Sequence, residues 1–305
     1  MTILQFLQYF PDEESCEVYI KESREKAGIC CKTCKSITKH YWFSGGKFFE
    51  CSQCRRRSSL KSGTVMEKSK ISLHTWMLAF IFMSASKKGF SCLEFQRQVS
   101  LSRYDTAFRL MHKIRAMMGK RDSLYILNDM IEFDECFVEV ATKKQVKQNL
   151  KRGKGSQRQA KVAVAAESTP LEDPRTGKKD RACGYYKMEV LGKVDSDHVN
   201  KFIKKNAAGD IVLFTDKNTA YVDIADIVDT HYMVVSDKVS VNETLKWVHK
   251  GISNLKRNLL GIHHMITYKY LQNYINEFVY KLNRRYFGER LFDRLIIAAV
   301  HPYVQ

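Results

Sequence analysis

Four cysteines and two aspartates in this 305-residue chain stand where metal ions could be held, in two chemically different ways. Cys31 and Cys34 form one Cys-x-x-Cys pair, and Cys51 and Cys54 form another. Thiolates at i and i+3 grip one ion from a tight turn, and two such turns complete a tetrahedral four-sulfur site for structural Zn²⁺. Sixteen residues separate Cys34 from Cys51. Within them HYWF (40–43) and KFFE (47–50) read as short strands and SGG (44–46) as the turn joining them. The stretch therefore predicts a zinc ribbon of about four short strands. Cys30 stands beside Cys31 but does not give the i/i+3 spacing, so it is read as a neighbour. Nine cysteines, an odd number, argue against a disulfide framework and for a reducing compartment.

The aspartates suit harder cations. Asp134 sits inside DMIEFDECFVEVA, and Asp216 ends the apolar run IVLFTD. Two Mg²⁺ ions can clamp the attacking and leaving oxygens of a phosphodiester, and such ions take oxygen ligands, so carboxylates must converge from different strands. Glu132, Glu135 and Asp129 are alternatives nearby: Glu132 shares the face of Asp134 nearer the strand start, and Glu135 points the other way. The segment VNETLKWVHKGISNLKRNLLG reads as a long helix burying Leu245, Val248, Ile252, Leu255 and Leu259. One edge of that stripe carries His249, Ser253, Lys256 and Leu260; the other carries Trp247, Gly251, Asn254 and Asn258. His249 and Lys256 are two turns apart on one edge, which suits a group facing metals and a cation facing DNA phosphate. Glu243 is the only acid in this helix, and it precedes the centre of the stripe. His249 as a satisfied core histidine and Asn254 as the ligand both stay open at this level.

The elements that must place these groups follow a recognisable order. The strand around Asp134 is followed by VAVAAE (162–167) and YYKMEVL (185–191), then a helix at 195–207, a strand at 211–216, a helix near 218–227, a strand at 231–236 and the long helix from about 242. Three strands, then helix, strand, helix, strand, helix is the order of the RNase H-like fold. Ahead of it, ISLHTWMLAFIFMSASKK (71–88) reads as a buried helix. GFSCLEFQRQ, VSLS and RYDTAFRLMHKIRAMMGK then suggest a helix-turn-helix, with Ser102 and Asp105 as a capping pair. Arg103, Arg109, Lys113 and Arg115 supply its charge.

Charge points to the partner. Lys and Arg number 51 against 33 Asp and Glu, a net +18 with pI near 9.4, which favours nucleic acid over membrane. The basic residues cluster at Arg55, Arg56 and Arg57 after the last cysteine. They cluster again in the 143–161 loop, with Lys151, Arg152 and Lys154, where phosphates could be met. The longest apolar run, Trp76–Ala85, is too short to span a bilayer. The N-terminus lacks the basic region and cleavage site of a signal peptide.

The chain resembles bacterial insertion-sequence transposases with an N-terminal zinc ribbon, the group related to the Merlin transposons of eukaryotes. The marks are CKTC and CSQC; SLKSGTVMEKSKISLHTWMLAF; DTAFRLMHKIR; EFDECFVEV; FTDKNTAY; and VHKGISNLKRNLLGIHHMITYKYLQNYINEFVYKLNRR, together covering nearly all of 16–290. The resemblance implies a DDE-type catalytic domain. Asp134 matches the first acid and Asp216 the second. His249, seven residues before Lys256, falls where the third acid stands, as in the branches that carry His there. The family's Gly pair after the first acid is replaced here by CFVEVAT. The implied organisation is a zinc ribbon with N-terminal extension (1–66), a helix-turn-helix region (67–125) and an RNase H-like catalytic domain with a C-terminal helix (126–305), an α/β multidomain chain. The implied activity is binding of the element's terminal inverted repeats, then cleavage and strand transfer dependent on Mg²⁺ or Mn²⁺ at Asp134, Asp216 and His249. Its partners are double-stranded repeat and target DNA and a second copy of the chain, in the cytoplasm at the bacterial nucleoid, with no membrane. The rivals are a non-catalytic DNA-binding descendant, which the intact Asp134 and Asp216 oppose, and an RNase H-like repair nuclease, which the front module and the 241–285 block oppose.

Overall fold

Side-chain caps start the helices at the front of the chain. Thr2 with Gln5, and Asp12 with Ser15, form capping boxes at α1 (Ile3–Tyr9) and α2 (Glu13–Ala27). Ser72 caps α3 (Leu73–Ala85), and the Leu73 and His74 amides also donate to the Glu13 carboxylate, at 2.6 and 2.8 Å. As its composition predicts, α3 is buried nearly all round, with Trp76, Met77, Phe80, Ile81 and Met83 inside.

The computed structural model describes residues 1–141, 156–172, 174–177, 179–217, 219–234, 244–263 and 265–302. They form two units, Met1–Met118 with Arg284–Gln305, and Gly119–Asn283. The predicted boundary at 66/67 therefore falls inside one unit, and 284–305 groups with the front of the chain, whereas the sequence reading ran the last domain to 305.

In the first unit five short strands, against about four expected, make the ribbon. β1 (Ile29–Cys31) pairs with β2 (Ser36–Thr38). β3 (His40–Phe43), β4 (Phe48–Cys51) and β5 (Arg57–Ser59) form a second antiparallel sheet. The SGG turn is a single 3-10 turn between β3 and β4. α4 (Cys92–Gln98) and α5 (Tyr104–Asp122) are the expected helix pair. α5 starts at Tyr104, so Ser102 lies one residue too early to be its cap. Arg115 does not join the charged face: it is fully buried, and its guanidinium donates to the Phe90 carbonyl at 3.1 Å. α9 (Leu291–Val300) buries Phe292, Leu295 and Ile296 against α2 and α3, and the Phe292 ring meets those of Phe6 and Phe10.

In the second unit β6 (Met130–Glu139), β7 (Gln159–Glu172) and β8 (Lys179–Leu191) run antiparallel. α6 (Ser196–Asn206) leads to β9 (Val212–Asp216), a 3-10 segment (Thr219–Asp226) stands where a helix was expected, and β10 (Thr230–Val234) follows. The sheet order is β10-β9-β6-β7-β8, with β6, β9 and β10 parallel. α6 covers one face, through Val199, Phe202 and Ile203 packed with Phe133, Ala163 and Leu213. α7 (Lys246–Ile262) and α8 (Tyr268–Asn283) cover the other, through Val248, Ile252, Leu255 and Ile275 packed with Cys136, Val164 and Met188. Side-chain amides of α8 seal the outer edge of β8. Asn283 bonds Tyr186 N and O, and Gln272 bonds Val190 N and Met188 O, replacing a neighbouring strand.

Candidate active site

Strand register brings the two aspartates together. β6 pairs with β9 in parallel as Met130↔Val212, Ile131↔Leu213 and Glu132↔Phe214. Asp134 and Asp216 each lie two residues beyond the last of these pairs, on the same face of the two adjacent strands. The electrostatics agree. Burial, then Glu135, then Asp216 push the Asp134 carboxyl up to about 7, against the opposing pull of the Glu135 amide, which donates to Asp134 Oδ1 at 2.8 Å, and then of Lys256. On α7, Gly251 is buried and would meet Tyr186 Cε1 at 2.6 Å if it carried a Cβ, so this edge of the helix sits down on β8. The opposite edge therefore faces β6. There His249 Nδ1 lies 3.7 Å from Asp134 Oδ2.

His249 is half-buried, and burial holds its pKa below the ordinary histidine value. Its Nε2 is buried and meets no hydrogen-bond partner among the described residues. Lys256 is exposed on the same edge, within electrostatic reach of Asp134. Asn254 is exposed and accepts a hydrogen bond from Arg257 at 3.1 Å, away from the carboxylates. Glu135 takes the other face, as its position predicts, and accepts a hydrogen bond from the Tyr221 hydroxyl; burial, then Glu135, raises the pKa of that phenol. Glu132 shares the face of Asp134 but is spent on the start of α7, whose Trp247 and Val248 amides donate to its Oε2 at 2.6 and 2.8 Å. Sequence reasoning weighed Glu132 only as a rival ligand. The signal it missed is that Leu245, the residue before α7, has no side chain able to cap it.

The four cysteines gather as their spacing predicts. The Sγ atoms of Cys31, Cys34, Cys51 and Cys54 all lie within 4.8 Å of one another, with Cys31 to Cys54 at 3.4 Å and Cys34 to Cys51 at 4.0 Å. A tetrahedron with metal–sulfur bonds of about 2.3 Å has edges of about 3.8 Å, so the set fits one soft ion. The Thr38 hydroxyl, 3.2 Å from Cys51 Sγ, leads the interactions that lower the pKa of that thiol to about 6, toward the thiolate a metal needs. Among the described residues only these cysteines bring three or more ligand atoms that close. Asp134, Asp216 and His249 are a looser set, in which crowded negative charge rather than preformed coordination is the observation.

Residues 126–283, just over half of the chain, match the ISXO2-like transposase domain. The chain belongs to that transposase family. The match covers the β6–β10 sheet with α6, α7 and α8, and so every residue of the acid cluster. A protein of the transposable element ISH50 from Halobacterium salinarum is 22% identical over 281 residues, which span 89% of this chain and 91% of that one. The crystal structure of the Mos1 mariner paired end complex with Mn aligns over 71% of this chain and 76% of its own, at 11% identity and a TM-score of 0.30, too loose to speak for the fold.

Outside the transposase domain, the basic residues singled out from sequence are on the surface of the first unit. Arg55, Arg56, Arg57, Arg103, Arg109 and Lys113 are all exposed. Arg57 pairs with Glu50 at 3.1 Å, Arg56 donates to Thr33 and Lys113 to the Glu67 carbonyl, so part of this charge is already engaged. Lys151, Arg152, Lys154 and Glu243 lie outside the described residues. Among those described, no helix is long and apolar enough to cross a membrane.

Proposed function

We infer that this protein is a DDE-type DNA transposase with His249 in the place of the third acid. It binds the terminal inverted repeats of its own insertion sequence, cleaves there, and joins the freed 3′ end to target DNA. One observation carries the reading: Asp134 and Asp216 lie on adjacent parallel strands of the transposase domain, close enough for Asp216 to help raise the Asp134 carboxyl, and His249 Nδ1 comes within 3.7 Å of Asp134 from α7. The strand order supports it, since a mixed sheet with one antiparallel hairpin arm and parallel strands on the other side is the RNase H-like arrangement.

Asp134, Asp216 and His249 would hold Mg²⁺ or Mn²⁺, which supplies Lewis acidity at the attacking and leaving oxygens. Burial first, then the neighbouring charges of Glu135 and Asp216, raise the Asp134 carboxyl. A cation between Asp134 and Asp216 favours the ionised form of both. His249, kept neutral by burial, has a lone pair for a ligand role or for taking a proton. Lys256 faces outward to hold a phosphate of the DNA beside the cluster. In the first unit the four cysteines would bind Zn²⁺ and make a rigid platform. The exposed arginines around it, with Arg103, Arg109 and Lys113 on α5 and Lys151, Arg152 and Lys154 beyond the described residues, would meet phosphates. The enzyme would act on double-stranded DNA in the cytoplasm, at the nucleoid, and as a dimer or larger assembly, because two element ends must be handled together.

The test is cleavage of DNA carrying the ends of the protein's own element. Asp134→Asn and Asp216→Asn should lose cleavage by about a thousandfold or more while the gel-shift affinity stays within about twofold. His249→Ala should fail likewise, and His249→Glu should restore part of the activity with Mg²⁺. Asn254→Ala should cleave normally. Full cleavage by Asp134→Asn would overturn the reading. A dead Asn254→Ala beside an active His249→Ala would move the third ligand to the other edge of α7.

A further inference from the structure

The first turn of α7 has no cap of its own. Leu245 precedes it and offers no acceptor, while the amides of a helix's first turn are orphan donors. The acceptor comes from another element. Glu132 of β6 is fully buried, and its Oε2 takes the amides of Trp247 at 2.6 Å and Val248 at 2.8 Å. In its ionised form the carboxylate would also meet the positive end of the helix dipole. Arg181 of β8 closes the arrangement: its Nη1 lies 4.0 Å from Glu132 Oε1 and donates to the Thr244 carbonyl at 3.0 Å. The Trp247 indole donates to the Arg181 carbonyl at 3.1 Å, and the Tyr186 hydroxyl to the Trp247 carbonyl at 2.9 Å.

The position of Glu132 gives this cap a use. Glu132 and Asp134 are two residues apart on one strand, so both point to the same face. Glu132 holds the backbone of residues 247–248, and Asp134 lies 3.7 Å from the side chain of residue 249. The two acids act as adjacent marks on one ruler. We propose that Glu132 is a positioning residue: a carboxylate lent by the strand to the helix, fixing where α7 begins and hence how far His249 stands from Asp134. It works by its acceptor oxygen at the helix end and touches neither cation nor DNA. The proposal rests on the function proposed above, in that His249 acts at this site.

The experiment uses the full-length, zinc-loaded chain with Glu132→Gln and Glu132→Ala. Glutamine keeps an acceptor oxygen and loses the charge; alanine loses both. Three quantities are read: amide exchange at Trp247 and Val248, kcat per folded molecule for inverted-repeat DNA with Mg²⁺, and KM for that DNA. Glu132→Ala should speed exchange at the two amides about five- to tenfold. It should lower kcat about a hundredfold, the scale of a misplacement near 1 Å, with KM within about twofold. Glu132→Gln should recover most of the exchange protection and a kcat within about tenfold of wild type. A merely structural role predicts a lower melting temperature with normal kcat for the folded fraction, and that result overturns the proposal. So does a Glu132→Gln that is fully protected yet as inactive as the alanine variant, since the carboxylate would then act directly. Should Glu132→Ala fail to fold, Glu132→Gln decides by the same two readings. Asp134→Asn run in parallel separates the failures: its normal cleavage overturns the function, whereas its inactivity beside a fully active Glu132→Ala overturns the positioning role alone.

Discussion

Asp134 shows how a single carboxyl couples the site to the stability of its unit. Its pKa is raised to about 7 in the folded chain, chiefly by burial and then by Glu135 and Asp216, against about 3.9 when unfolded. The folded state therefore binds this proton more tightly, and across roughly pH 4 to 7 its stability falls as pH rises. In metal-free buffer at pH 8, Asp134→Asn should melt above wild type by on the order of 2 kcal/mol, roughly 4–8 °C for a unit of this size. The gap should close toward pH 4. Added Mg²⁺ or Mn²⁺ should raise the wild-type melting temperature but not that of the variant. Calorimetry that finds the two proteins equal from pH 5 to 8 would mean that folding does not raise the Asp134 carboxyl. At the same scale Glu135 and Tyr221 explain why adjacent acids on one strand differ: alternate residues face opposite sides, and only the Asp134 side meets α7.

At the scale of elements, α7 can approach the sheet because one of its buried positions has no side chain. A Cβ on Gly251 would stand 2.6 Å from the Tyr186 ring and 3.3 Å from Met188. Gly251→Ala should cost about 1–3 kcal/mol through overpacking despite its better helix propensity, and should lower cleavage by lifting His249 off Asp134. Gly261, near the end of the same helix, has nothing within 4 Å of such a Cβ, so Gly261→Ala should be neutral or stabilise by up to about 1 kcal/mol. Equal melting shifts for the two variants would refute this account of the packing. In the ribbon, strands of three and four residues bury little beyond Ile29, Phe49 and the cysteines, so an ion held by the four thiolates would contribute most of its folding. Elemental analysis should find one zinc per chain. Chelation, or Cys51→Ser, should abolish ribbon structure while leaving the far-ultraviolet signal of the transposase domain. A Cys51→Ser protein with wild-type stability and no zinc would exclude the metal.

At the scale of the whole chain, the last helix completes the first unit. Phe292 is fully buried against Phe6 and Phe10, and α9 packs on α2 and α3. Phe292→Ala should cost about 3–5 kcal/mol, and the loss should appear as exchange in 1–118, leaving 119–283 protected. Exchange confined to 119–283 would contradict the grouping of the two termini. The charge of +18 gives a second test at this scale. If six or more phosphates are neutralised, affinity for DNA should fall about a thousandfold between 50 and 200 mM salt. A flat response would leave the charge as solubility only.

Much of this was written into local pattern. Cys-x-x-Cys turns, the alternation around Asp134, the apolar run ending at Asp216 and the stripe of α7 are properties of neighbouring residues, and period and spacing reveal them. Other features depend on which elements meet. The sequence left both edges of α7 open to the acids, and only the seating of Gly251 on Tyr186 turned His249 toward Asp134 and Asn254 toward solvent. Arg115 looked like surface charge because its helical position says nothing of Phe90, the partner that buries it. Glu132 read as a spare acid because its partners, the amides of Trp247 and Val248, are 115 and 116 residues away. The home of α9 was invisible for the same reason: an amphipathic helix shows that it must bury a face, but the surface that receives it is set by long-range packing.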